Sequence, residues 1–241
     1  MINSSARLAL LSSVSTVMAV CLLPGTAQAQ ATTCSQAGLT INCIDGATPV
    51  LTGTVSAGTT TVAGPGLVTT NTTTPATISY TATGPIATTG VGAVNLTSTG
   101  GALNFTPSGT TAPVNVSTTG GAAANDVTIN ATGQAANVTV GNVSTSGTNS
   151  YGVLVNGATD LTLRTGNVAT TGATSRGIQA ASPTGNVSVT AGNISTTDRG
   201  VTTASGLTSN NTTVVGNVTA GAAGVLASGG NVNVTTGNVI A

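Results

Sequence analysis

Residues 141–241 read as five phased lines: GNVSTSGTNSYGVLVNGATDLTLRT (141–165), GNVATTGATSRGIQAASPTGNVSVTA (166–191), GNISTTDRGVTTASGLTSNNTTVV (192–215), GNVTAGAAGVLASGGNVNVTT (216–236) and GNVIA (237–241). Each line opens on Gly-Asn followed by Val or Ile, and the openings are 25, 26, 24 and 21 residues apart. A further Gly-Asn-Val at Gly185 falls out of phase. Periods of about 20–50 residues mark solenoids, propellers or arrays.

Two more anchors recur inside each line. Gly152-Val153-Leu154-Val155 answers to Gly177-Ile178-Gln179-Ala180, Gly200-Val201-Thr202-Thr203 and Gly224-Val225-Leu226-Ala227, which begin 11, 11, 8 and 8 residues after their openings. A third segment closes the line: Leu161-Thr162-Leu163, Val187-Ser188-Val189 and Val232-Asn233-Val234. Two lines are expected to shift this apolar pair, to Val138 with Val140 and to Thr213 with Val215. Alternation at period two turns one face inward. A short strand cannot bury that face alone, but stacked repeats can.

The predicted fold is all-β: a right-handed parallel β-helix with three short strands per coil and ~21–26 residues per coil. Val143, Val168, Ile194 and Val218 form one interior stack in this reading. Val153, Ile178, Val201 and Val225 form a second, which Val155, Ala180, Thr203 and Ala227 continue. Asn142, Asn167, Asn193 and Asn217 are placed for a ladder along the axis. The alternative is an antiparallel sandwich. Residues 50–140 read as less regular coils of the same kind, with strand candidates at 91–96, 102–105 and 127–129. The chain divides into 1–29, 30–49, 50–140 and 141–241, the last ending within a repeat.

Composition agrees with this reading. Charged residues are 3% of the chain, four Arg and four Asp, and mean hydropathy is +0.36. Disorder usually needs low hydrophobicity and high net charge. No run past residue 30 approaches the ~20 apolar residues of a spanning helix. Nucleic acid is excluded as a partner, because phosphate neutralisation needs clustered Lys and Arg.

Residues 1–29 read as a secretory signal. Arg7 precedes a mostly apolar run, Pro24-Gly25 ends it, and Ala27-Gln28-Ala29 supplies the small-x-small pattern for a cut after Ala29. Cys21 follows Val20, which is too large for a lipoprotein site. Cys34 and Cys43 then remain, a natural disulfide pair in an exported chain. Two free thiols or a metal pair are the alternatives, and His is absent from the chain.

A signal segment, an early Cys-x8-Cys and Thr/Ser-rich Gly-Asn-Val/Ile repeats together resemble the passenger region of a bacterial autotransporter (type V secretion) adhesin. The resemblance implies export through the inner membrane and display at the outer membrane or outside the cell. It implies host-cell, matrix or glycan surfaces as partners. Such proteins end in an aromatic-girdled β-barrel. With one Phe and two Tyr, this chain lacks that translocator, so a fragment is expected, or a periplasmic protein if the chain is truly truncated.

Catalysis is not expected. Without His or Lys there is no Ser-His-Asp or Ser-Lys arrangement. Paired carboxylates for sugar chemistry have to come from Asp45, Asp126, Asp160 and Asp198, which read as solvated turn residues. Asp160 and Arg164 lie too far apart along one strand to pair directly. No metal, cofactor or nucleotide site is read. Tyr151, Arg176 and Arg199 each precede a second-anchor Gly, so they line one edge as ligand candidates or as solvated turns. Asn-x-Ser/Thr occurs repeatedly, for example at Asn142, Asn186, Asn193 and Asn217; it follows from the repeat and is not taken as a glycan signal. The expected function is a surface-displayed adhesive or structural stalk. A β-helical polysaccharide-active enzyme is the alternative. An ice- or crystal-binding solenoid is the third reading, and the spread of coil lengths argues against it.

Overall fold

A computed structural model describes the strand backbone between residues 34 and 89, then residues 90, 92–98, 102–105, 115–132, 134–157 and 159–241. The predicted signal segment lies outside the described residues. Among those described, regular structure is strand only.

The strands form three sheets that run the length of a solenoid. The first sheet holds nine: Cys34–Ala37, Thr40–Ile44, Leu67–Asn71, Val94–Ser98, Val127–Ala131, Tyr151–Asn156, Arg176–Ala181, Arg199–Ala204 and Ala223–Ser228. The second holds Val50–Val55, Thr77–Ala82, Leu103–Phe105, Ala136–Thr139, Leu161–Thr165, Val187–Ala191, Asn210–Val215 and Asn231–Thr236. The third holds Thr61–Ala63, Ile86–Thr89, Val116–Thr119, Val143–Thr145, Val168–Thr170, Ile194–Ser195, Val218–Thr219 and Val239–Ile240. From Thr40–Ile44 onward the chain visits first, second and third sheet in turn, so each of these strands pairs with one a full coil away. These pairings are parallel, which excludes the sandwich. The described strands between residues 50 and 140 join the same three sheets as the regular repeats.

The predicted stacks are present. Val143, Val168, Ile194 and Val218 are successive register partners and are buried. Val153, Ile178, Val201 and Val225 align likewise, as do Val155, Ala180, Thr203 and Ala227. Each buried Val contributes about 1.5–3 kcal/mol, so stability accumulates over many thin coils. Phe105 is the bulkiest fully buried side chain and stacks on Val138.

The expected shift of the third segment does not occur. Ala136 and Val138 pair with Leu161 and Leu163, and Asn211 and Thr213 pair with Val187 and Val189. Val140 and Val215 are simply one inward position further along. Asn211 therefore points into the core. It is tolerated because its side-chain amide donates to the Ser228 carbonyl (2.8 Å) and its oxygen accepts from Thr213 Oγ1 (3.1 Å).

In the regular repeats, variation in coil length is confined to two corners. From second to third sheet the step is seven residues in each of the last four coils, as in Leu161 to Val168 and Asn211 to Val218. That corner carries the predicted ladder. The backbone amide of Asn142 donates to the Asn115 side-chain oxygen, Asn167 to Asn142, Asn193 to Asn167, Asn217 to Asn193 and Asn238 to Asn217, each at 2.8–2.9 Å. One residue type at one height in six successive coils satisfies a donor that no strand partner reaches. The third-to-first corner instead takes ten residues from Val143 to Val153 and from Val168 to Ile178, then seven from Ile194 to Val201 and from Val218 to Val225.

Candidate functional site

That variable corner carries the predicted edge residues. In its three longer versions, the eleven residues from Val116 to Val127 included, the turn passes through a left-handed residue, Ala123 (φ 54°), Asn149 (φ 57°) or Thr174 (φ 55°). The β-branched Thr174 is a genuine outlier there. The corner is held from inside. The buried Ser175 hydroxyl donates to the Gly147 carbonyl (2.6 Å) and accepts from the Ser150 amide (3.3 Å). Two residues beyond Asn149 and Thr174 stand Tyr151 and Arg176, register partners in the first sheet. Arg199 occupies the same position in the next coil and Ala223 in the last.

The edge is thus real, and it contains a partner that sequence reading did not find. Arg176 Nε donates to Asp198 Oδ2 at 2.9 Å. Its Nη1 hydrogen-bonds the Tyr151 hydroxyl, and its guanidinium lies 5.3 Å from the Tyr151 ring centroid. Asp198 above all, then Tyr151, holds the Arg176 pKa above its ordinary value. Both Arg176 and Asp198 are half-buried. Arg199 is exposed and makes no side-chain hydrogen bond or ion pair among the described residues. Asp198 stands where Ser175 stands one coil earlier, and this phase was the available signal.

The other aspartates lie apart. Asp160, at the first-to-second corner, accepts from the amide (2.9 Å) and side-chain nitrogen (3.1 Å) of Asn186. It does not pair with Arg164, as its strand spacing implied. Asp126 overturns the solvated-turn expectation: it is fully buried. Neither of its carboxyl oxygens has a hydrogen bond of ordinary geometry. Desolvation pushes its pKa up to about 9, a rise tempered by the Thr118 side chain. Asp126 and Asp198 are separated by three coils, roughly 14 Å at the strand spacing of a sheet. Asp45 lies outside the described residues.

Beside Asp126 runs a column of inward threonines, Thr118, Thr145, Thr170 and Thr196. Thr145 donates to the Ala124 carbonyl (3.2 Å), whereas the buried hydroxyls of Thr170 and Thr196 have no partner.

The four Asn-x-Ser/Thr asparagines singled out above are all rungs. Asn142, Asn193 and Asn217 belong to the first ladder, and the Asn186 side-chain oxygen accepts from the Asn210 amide (2.9 Å). Coil-length spread also proves no obstacle to regular outward rows, because the corners absorb it. On the second sheet Thr162, Ser188, Thr212 and Asn233 align. The neighbouring row is broken by Arg164 and Val214 among Thr139, Thr190 and Thr235.

Cys34 and Cys43 face each other in register across the antiparallel hairpin that begins the first sheet. Their side chains lie outside those described. Among the described residues no group of three or more metal-ligating side chains gathers. Compared with known proteins, the chain matches no family model, no curated sequence and no solved structure.

Proposed function

We propose that this chain is an exported, surface-displayed β-helical stalk, structural or adhesive in role and without catalysis. One observation carries the reading. Three parallel sheets keep register along the solenoid while variation is confined to corners. Such a body is a stiff spacer whose corners meet a partner, and repeated weak contacts along it add up by avidity. The separate environments of Asp126, Asp160 and Asp198 support a non-catalytic role, since sugar hydrolysis uses two carboxylates about 5–10 Å apart.

The test is to express the full chain in a Gram-negative host and follow its N-terminus and its accessibility on intact cells. Processing after Ala29 and antibody labelling of unbroken cells are expected once a translocator is supplied. Retention of the uncleaved N-terminus in the cytoplasm refutes the reading. The enzymatic alternative predicts release of new reducing or unsaturated ends from a polysaccharide panel.

A further inference from the structure

We propose that the corner built from Tyr151, Arg176 and Arg199 binds the acid group of an anionic polysaccharide. The inference deepens the adhesive reading above by naming what the stalk holds.

Three observations converge on this corner. First, it gathers two of the three described arginines in adjacent coils, where backbones are ~4.8 Å apart. Arg176 is locked by Asp198 and by the Tyr151 hydroxyl, so its orientation is set before any ligand arrives. Arg199 is exposed, and its neighbour in the following coil is the small Ala223. Asp198 neutralises one guanidinium and leaves the pair a net cation. A planar guanidinium matches carboxylate and sulfate oxygens with two parallel hydrogen bonds.

Second, the corner is rigid. Its turn is left-handed at Asn149 and Thr174, as it is at Ala123 one coil earlier, and buried Ser150 and Ser175 hold it there. Arg176 therefore projects from a backbone that is fixed before any ligand arrives.

Third, the surroundings suit a sugar acid better than other polyanions. Exposed Thr148 and Asn149 offer neutral donors and acceptors to sugar hydroxyls around the two cations, and Thr174, whose hydroxyl donates to the Ala173 carbonyl, offers an acceptor. Nucleic acid and anionic membranes both need a longer track of positive charge.

The experiment measures binding of the purified full chain to three probes: dextran sulfate, polygalacturonate and neutral dextran. Binding to either polyanion, weakening as salt rises and absent with neutral dextran, is the expected result. Dextran sulfate alone or polygalacturonate alone identifies the acid as sulfate or carboxylate. Arg199→Ala is expected to weaken binding about tenfold or more, the value of one charge-assisted hydrogen bond. Because Arg199 is exposed, this variant keeps the wild-type circular dichroism spectrum. Arg164→Ala, on the second sheet, leaves affinity within about twofold. No binding to either polyanion, equal binding to neutral dextran, an unaffected Arg199→Ala, or an equal loss in Arg164→Ala overturns the proposal. Surface display is read on cells and polyanion binding on purified protein, so either can fail without the other.

Discussion

Asp126 occupies the interior position that Gly152 fills one coil later. Each stands one residue before a register partner in the first sheet, Val127 or Val153. The column continues through Gly177, Gly200 and Gly224. A Cβ on Gly177 would lie 2.4 Å from the Gly200 carbonyl oxygen and 2.8 Å from Ile194 Cγ2, so later coils have no room for a side chain there. The coil of Asp126 admits a carboxyl group and shields it from solvent. The group is therefore neutral in the folded chain at pH 7.

Stability is expected to fall as pH rises. The folded pKa is about 9 and the reference value is 3.8, so between them the folded chain keeps a proton that the unfolded chain releases. The contribution of Asp126 is most favourable below about pH 4. It then declines by up to about 1.4 kcal/mol per pH unit until pH passes about 9. With no His, Lys or Glu in the chain, little else titrates in this window. Urea unfolding from pH 5 to 8 checks the slope, and Asp126→Asn should flatten it. A wild-type profile already flat over that range refutes the assignment.

Thr170→Val should stabilise the protein. The Thr170 hydroxyl is buried without a partner, and valine replaces it with a methyl group of the same shape. Removing an unsatisfied buried hydroxyl is worth about 1 kcal/mol or more. The same change at Thr145, whose hydroxyl donates to Ala124, should gain less or lose. Paired denaturation curves distinguish the two.

Asn167→Ala removes one rung of the ladder. The Asn193 amide loses its acceptor, and the Asn167 amide keeps its bond to Asn142. The expected cost is about 1 kcal/mol. Amide hydrogen exchange should quicken at Asn193 and not at Asn167. Equal protection at Asn193 in both proteins removes the ladder from the stability account.

Cys34 and Cys43 should be oxidised in exported protein. Directly opposed residues of antiparallel strands have Cα atoms about 4.5–5.5 Å apart, inside the disulfide range. Alkylation under denaturing conditions should label neither thiol until a reductant is added. Losing the bridge costs about 2–3 kcal/mol in the chain-entropy model. Labelling of both thiols without reductant argues for free cysteines.

The sequence by itself determined the inward stacks and the asparagine ladder. Val143, Val168, Ile194 and Val218 recur in phase, and a period-two strand sends equivalent residues to equivalent sides. It also placed Tyr151, Arg176 and Arg199 on one edge, since that statement needs only register. Tertiary structure alone decided the rest. The fixed seven-residue step to Val218 holds Asn211 inward, and nothing within its own strand marks it. Asp126 was read as a turn because nothing in its own segment marks it. Its burial follows from the strands of adjacent coils, Val94–Ser98 and Tyr151–Asn156, some two dozen residues or more away in the chain. The Arg176–Asp198 pair likewise depends on side-chain directions across two coils, and a pattern along one strand carries no information about those.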